Sequence, residues 1–221
     1  MPRWGFLLVV AVLLGACGNG TGGAALPEGA GLLAGSAAAM RTVLSARVTL
    51  DIEGDLLPKA PIKSAEGLLT KDGAARGTAS VDLGRQFLNV DFVILGEDLY
   101  LKGPTGDFRK TSASSTFLAY DPRVILDPNR GVAAVLAGGT DATTEAREEV
   151  DGVDSYRLRA TFTGPTLGAF VPDTSQEIVG QVWVATEGSR LVQARLPITP
   201  ATVVTFRFSD YDTPADITAP I

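Results

Sequence analysis

Residues 63–102 read K-S-A-E-G-L-L-T-K-D-G-A-A-R-G-T-A-S-V-D-L-G-R-Q-F-L-N-V-D-F-V-I-L-G-E-D-L-Y-L-K. Four alternating runs, Lys63–Lys71, Ala74–Leu83, Gln86–Leu95 and Asp98–Lys102, are parted by Asp72-Gly73, Gly84-Arg85 and Gly96-Glu97. A period of two between apolar and polar residues marks strands with one buried face. Asp-Gly suits a type I′ hairpin turn and Gly-Arg a type II′ turn. Connections this short force antiparallel neighbours, so the stretch is a meander.

The flanking sequence repeats this grammar. Arg47–Glu53 is a further half-buried strand, with Val48, Leu50 and Ile52 on one face. Before it, Leu32–Ala46 reads as a helix whose stripe is Leu33, Ala37, Met40 and Leu44. Gly54–Ile62, with Pro58 and Pro61, is a loop. Thr111–Thr116 is a small polar loop leading into Tyr120–Gly139, the one segment that reads as a turn followed by a helix. There Asp127 is a good N-cap, Pro128 suits the first helical position, Val132, Val135 and Leu136 share a face, and Gly138-Gly139 ends the helix. Strands Thr143–Val150 and Ser155–Thr163 follow, joined through Asp151-Gly152. Gly164–Val171 is a short second helix or turn, and Glu177–Ala185, Arg190–Ile198 and Val203–Ser209 complete the strands. The closing residues Pro214–Ile221 are expected along a sheet edge. The expected class is α+β, one antiparallel sheet with a few short helices.

Alternation also assigns faces. Leu88, Val90, Phe92 and Ile94 point inward, as do Tyr156, Leu158, Ala160 and Phe162, and Val204, Phe206 and Phe208; all are ordinary core residues apart from Ala160. Two strands differ: their inward sets are Ala65, Gly67 and Leu69, and Ala75, Gly77, Ala79, Val81 and Leu83. Gly180 and Ala194 add two more small inward positions. Interiors pack as densely as organic crystals, so something must fill the volume these residues leave. A closely approaching helix fills it on one account, a lipid chain on the other.

The chain has 221 residues, enough for one sizeable core, with a formal charge of −6 that argues against nucleic acid as a partner. It contains no histidine and one cysteine, Cys17, which leaves no His-based nucleophile arrangement, no intrachain disulfide and no Cys-based zinc site. No catalytic residue, metal or cofactor is expected. Glu145, Glu148, Glu149 and Asp151 cluster, as do Asp210 and Asp212, but a solvated strand face accounts for them; Glu145, Arg147 and Glu149 share one face by alternation.

The first residues carry an address. Arg3 is followed by the apolar run Phe6–Leu14, then by Gly15 and Ala16, which is a secretory signal pattern. Leu14-Gly15-Ala16-Cys17 resembles the lipobox of bacterial lipoproteins, which implies that Cys17 is diacylated and becomes the first mature residue. Two acyl chains satisfy the condition for stable anchoring. Gly18–Gly31 is glycine-rich and reads as a flexible tether. The expected organisation is thus an export signal over residues 1–16, Cys17 and a tether over 17–31, and one folded domain over 32–221.

The lipobox, the tether, the helix-then-meander order and Tyr120-Asp121-Pro122, Ile125-Leu126-Asp127-Pro128 and Gly131–Leu136 together resemble the LppX/LprG lipoproteins (LppX_LprAFG). Val150-Asp151-Gly152, Val182-Trp183-Val184, Leu191–Leu196 and Phe208–Pro214 extend the resemblance across the mature chain. It implies a curved half-barrel sheet with helices on its concave side, around an apolar cavity for the acyl chains of glycolipids or triacylglycerol. It further implies an envelope lipoprotein, anchored through Cys17 to the outer face of the plasma membrane. Such a protein moves lipid or lipoglycan across the periplasm, in one branch beside a membrane efflux transporter. The lining it implies comprises Leu69, Ala75, Gly77, Ala79, Val81, Leu88, Val90, Phe92, Leu126, Val132, Val135, Leu136, Leu158, Ala160, Phe162, Val182 and Val184. The competing account is a surface scaffold that carries no lipid, with Arg157 and Arg159 as a stripe for an acidic partner.

Overall fold

The computed structural model describes residues 1, 25–57, 61–82, 84, 86–113, 121–168, 170–171, 174 and 176–221. Cys17, the rest of the export signal beyond Met1 and most of the tether lie outside the described residues, as do Leu83, Arg85 and the Ser114–Thr116 end of the expected polar loop. The described strands are β1 Ser45–Gly54, β2 Ile62–Thr70, β3 Ala75–Asp82, β4 Phe87–Leu95, β5 Asp98–Lys102, β6 Arg109–Ser112, β7 Thr140–Val150, β8 Val153–Phe162, β9 Ile178–Ala185, β10 Leu191–Thr199 and β11 Thr202–Ser209. Helices are α1 Gly29–Arg41, α2 Val132–Ala137 and α3 Gly164–Leu167, with a 3-10 turn at Pro122–Val124.

All eleven strands form one antiparallel sheet in the order β6-β5-β4-β3-β2-β1-β11-β10-β9-β8-β7. Two meanders meet at the β1–β11 pair, where Val48 faces Phe208 and Leu50 faces Phe206. The sheet is curved and does not close: β6 and β7 end it. The β7 edge carries two register shifts and a run of charges, devices that discourage pairing with another chain. On the inner face, Leu33, Ala37 and Met40 of α1 join one continuous core with α2 and with Leu158, Phe162, Val182 and Val184. Helix α1 packs on α2 and on β7, β8 and β9.

Several expectations are corrected. The first helix runs from Gly29 to Arg41, and Leu44 is 63% exposed rather than on its buried stripe. The Thr42 hydroxyl donates to the Ala39 carbonyl, and Lys71 N–H then claims the Leu44 carbonyl for the sheet. The central helix begins at Val132, not Pro128. Asp127 does accept the N–H groups of Asn129 and Arg130, at 2.8 and 3.0 Å. The turn it caps closes at once, however, because Gly131 N–H returns to Asp127 and Val132 N–H to Ile125. Gly131 is required there: a Cβ would lie 2.3–2.5 Å from the carbonyls of Ile125, Asp127 and Val124.

The turn at Asp72-Gly73 is not type I′. Only Gly73 has positive φ, Gly73 N–H bonds to Thr70 and Thr70 N–H to Ala74, which is a type I turn with a bulge. At Asp151-Gly152 both residues have positive φ, as type I′ demands. Thr111 and Ser112, expected in a loop, belong to β6, paired to β5. The C-terminal tail does not follow an edge. It crosses central strands, with the Thr213 carbonyl accepting from Ser45 of β1 and the Asp216 carbonyl from Arg76 of β3.

Candidate functional site

Beneath β1–β4 lies a narrow slot with about 510 Å³ of space, counted out to its open end. Its walls are Val48 and Leu50 of β1, Ile62, Ala65, Gly67 and Leu69 of β2, Ala79 of β3, and Phe92 and Ile94 of β4. Pro122 and Ile125 of the 3-10 segment close it from the other side. Glu66 also borders the slot, but its carboxylate is turned to the opposite face of the sheet, 2.9 Å from Arg47. Among the described residues, the side chains offered to the space are therefore carbon only. The lining is that of an apolar site without the polar groups that usually fix a ligand's orientation.

Small residues on adjacent strands create the space: Ala65 pairs with Ala79 across β2–β3, one rung from the Gly67–Gly77 pair. Gly77 serves a different purpose from its neighbours. A Cβ there would lie 2.1 Å from the Glu66 carbonyl and 2.6 Å from Gly67 Cα, so its missing side chain permits strand approach and does not enlarge the slot.

The two ends of the slot differ. At one end Ile94 and Leu99 are buried, and Arg123 stands as a clamp, 2.9 Å from Asp121, from Glu97 and from the Gly96 carbonyl. At the other end Ile62 and Val81 are buried, Leu88 and Val90 of β4 point inward and are half-buried, and Phe87, on the outer face, is 53% exposed.

A second carbon-lined space of about 300 Å³ lies beside the first, between α2, α3 and β10–β11. Val132, Val135, Leu167, Phe170, Ala194, Leu196, Phe206 and Phe208 surround it. The Phe170 and Phe206 rings meet edge to face at 6.0 Å. Because Val48 and Leu50 pair with Phe208 and Phe206, the two spaces stand side by side on the inner face across β1–β11.

The residues named from sequence divide accordingly. Leu69, Ala79 and Phe92 border the first space, Val132 and Val135 the second. Leu136 borders a surface groove between α1 and α2. Leu88 and Val90 are half-buried on β4, Val81, Ala75 and Leu126 are buried, and none of the five borders either space. Leu158, Ala160, Phe162, Val182 and Val184 lie in solid core and also border neither. The gap expected at Gly180 is filled, since a Cβ there would come within 2.6 Å of Leu196. Sequence reasoning put Val48, Leu50, Ala65, Gly67 and Ile94 on inward faces without naming them as lining. It had no signal for Pro122 and Ile125, which reach the slot only because their turn folds back on the sheet.

The acidic cluster is occupied by neighbours. A bulge between Thr144 and Ala146 overrides simple alternation, so Glu145 and Glu148, not Glu145 and Glu149, act together. Both pair with Arg157, at 3.1 and 2.9 Å, and Glu148 accepts from the Trp183 indole. Arg157 is thus engaged within the sheet and is not a free docking cation. Asp212 accepts the Leu44 N–H at 2.8 Å and pairs with Arg190. The Leu44 bond and then Arg190 hold its carboxyl below the usual carboxylate range. Among the described residues, no group of three or more His, Cys, Asp or Glu side chains is placed to hold a metal ion.

An open, curved antiparallel sheet of this order defines a fold also seen in two solved lipoproteins. LprF from Mycobacterium bovis superposes with a TM-score of 0.79 at 23% identity, covering 90% of this chain and 99% of that one. LppX from Mycobacterium tuberculosis gives 0.65 at 20% identity, covering 85% and 98%. The model of the LppX_LprAFG lipoprotein family matches residues 28–217, and this chain belongs to that family. Its relatives include the lipoarabinomannan carrier protein LprG of Mycolicibacterium smegmatis, 29% identical with 97% of this chain and 93% of the relative covered. The same-named protein of Mycobacteroides abscessus is 32% identical over 88% of this chain and 85% of its own length.

Proposed function

We propose that this protein is an exported envelope lipoprotein that shelters the acyl chains of a glycolipid, lipoglycan or triacylglycerol between its sheet and its helices. In this reading the sheet is a half-barrel with the helices on its concave side, residues 32–221 are the lipid-binding domain, and residues 17–31 tether it. A diacylated Cys17 holds the chain on the outer face of the plasma membrane, and cargo moves across the periplasm toward the outer envelope. In this reading the protein works beside a membrane efflux transporter. The observation that carries this reading is the slot whose side chains, among the described residues, are carbon only. Relatives named as lipoarabinomannan carriers support an acylated lipoglycan as the cargo.

The energetics favour such a slot. Exposing a chain of ~16 carbons to water costs on the order of 10 kcal/mol, at about 0.8 kcal/mol per methylene. A dry wall of Val, Leu, Ile, Ala and Phe removes most of that cost. Protein lacking residues 1–24, purified from a mycobacterial host and extracted with organic solvent, is expected to release about one equivalent of acylated lipid by mass spectrometry. Ala79→Phe fills the slot from its wall and should lower that amount at least tenfold. Lipid-free wild-type protein from repeated preparations would leave the scaffold account standing.

A further inference from the structure

We infer that Phe206 is a specificity-determining residue: its ring, beside Leu50, is the wall between the slot and the second space and limits the length of acyl tail the slot admits. The inference rests on the proposed slot and adds what bounds its cargo. On the sheet side, Leu50 of β1 borders the slot and Phe206 of β11 borders the second space. The two are direct partners in the antiparallel ladder. Opposed residues carry Cβ atoms about 4.5–5.5 Å apart, so one pair of side chains stands between the spaces there. Val48 and Phe208 repeat the arrangement two residues along. On the helix side, Ile125 borders the slot and Val132 the second space, and the Val132 N–H donates to the Ile125 carbonyl at 2.9 Å. Each space is thus bounded, above and below, by residues next to those that bound the other.

Phe206 is also held in its place. It is buried, and its ring meets that of Phe170 edge to face at 6.0 Å on the far side of the second space. Its neighbour on β10 is Ala194, which is too small to close the wall if the ring is removed. The space behind the ring is lined by carbon like the slot itself, so an acyl chain entering it meets no unpaired polar group. With the ring in place, a tail longer than the slot must leave methylenes outside it. A hydrophobic site separates ligands differing by one methylene by roughly 10–200-fold. A wall of this kind therefore acts as a ruler for tail length, and its height is set by one side chain.

The test is a binding series read by native mass spectrometry on the full mature, acylated chain. The probes are lysophosphatidylcholines with one saturated chain, from lauroyl to lignoceroyl, each competed against the palmitoyl form. Wild-type affinity is expected to rise with chain length and then stop rising at one length. Phe206→Ala is expected to bind the chains just beyond that limit at least tenfold more tightly than the wild type. Phe206→Leu, which keeps more of the core filled should the alanine variant not fold, is expected to move the limit in the same direction by less. Adding Ala194→Leu to Phe206→Ala refills the second space and is expected to restore the limit. Phe162→Ala removes a buried ring that borders neither space and is expected not to move it. An unchanged limit in folded Phe206 variants overturns the inference and leaves the slot reading standing. An equal shift in Phe162→Ala also overturns it, because general loosening then sets the length. If the wild type binds no probe of any length, the slot reading itself fails and the ruler with it.

Discussion

The two halves of the sheet are written in one grammar and built differently. Strands β8 and β9 present Leu158, Phe162, Val182 and Val184 inward, and α1 and α2 lay Leu33, Ala37, Met40 and Leu136 into the same core. Strands β1–β4 present Ala65, Gly67 and Ala79 amid larger neighbours and are faced by a 3-10 segment. Alternation makes both into sheet; side-chain volume decides which half is solid. The empty half is the one whose apolar surface is left for something else to cover.

The contrast can be broken at its strongest point first. Phe162→Ala removes a fully buried ring from the packed half and should cost about 3–5 kcal/mol in urea unfolding. A loss below about 1 kcal/mol would show the packed half to be as loose as the other. Next in size, Gly77→Ala forces a Cβ against the β2 backbone and should cost about 1–3 kcal/mol, with loss of amide protection along the β2–β3 pair. A neutral Gly77→Ala would mean that the close approach of these strands is not needed.

Smaller still, bound lipid should slow amide exchange in β2–β4 several-fold and leave β8–β9 unchanged, because only the first group borders the slot. Equal slowing in both halves would erase the distinction. The smallest expected effect is on pH. Asp212, which ties the exit of α1 to Arg190, has its folded carboxyl held below its ordinary range. Its contribution is therefore complete above about pH 4 and is lost as the pH falls below that value. Asp212→Ala should flatten this part of the acid-unfolding curve by less than about 1 kcal/mol, since the pair is partly exposed.

Much of the sheet was legible because period-two runs and Gly-containing turns are local signals. Ten of its strands follow from them; β6 does not, since Arg109–Ser112 is polar throughout and becomes a strand only by pairing with β5. The start of α2 was misplaced because Asp127-Pro128 is a sound local helix signal overridden by the packing of Gly131 against three carbonyls. The slot was half legible. Small inward residues announced missing volume, but whether a neighbour reaches into it depends on distant partners: Leu196 fills the place at Gly180, whereas Ala79 borders the slot.

The free edges at β6 and β7 have one more consequence. A closed barrel has its radius set by strand number and stagger, so its bore is a constant. Here no rung joins the two ends, and the arc can unbend by small changes of twist at each of ten interstrand joints without parting a hydrogen bond. Under the proposed function, such an open arc sets no fixed bore for the tails it shelters.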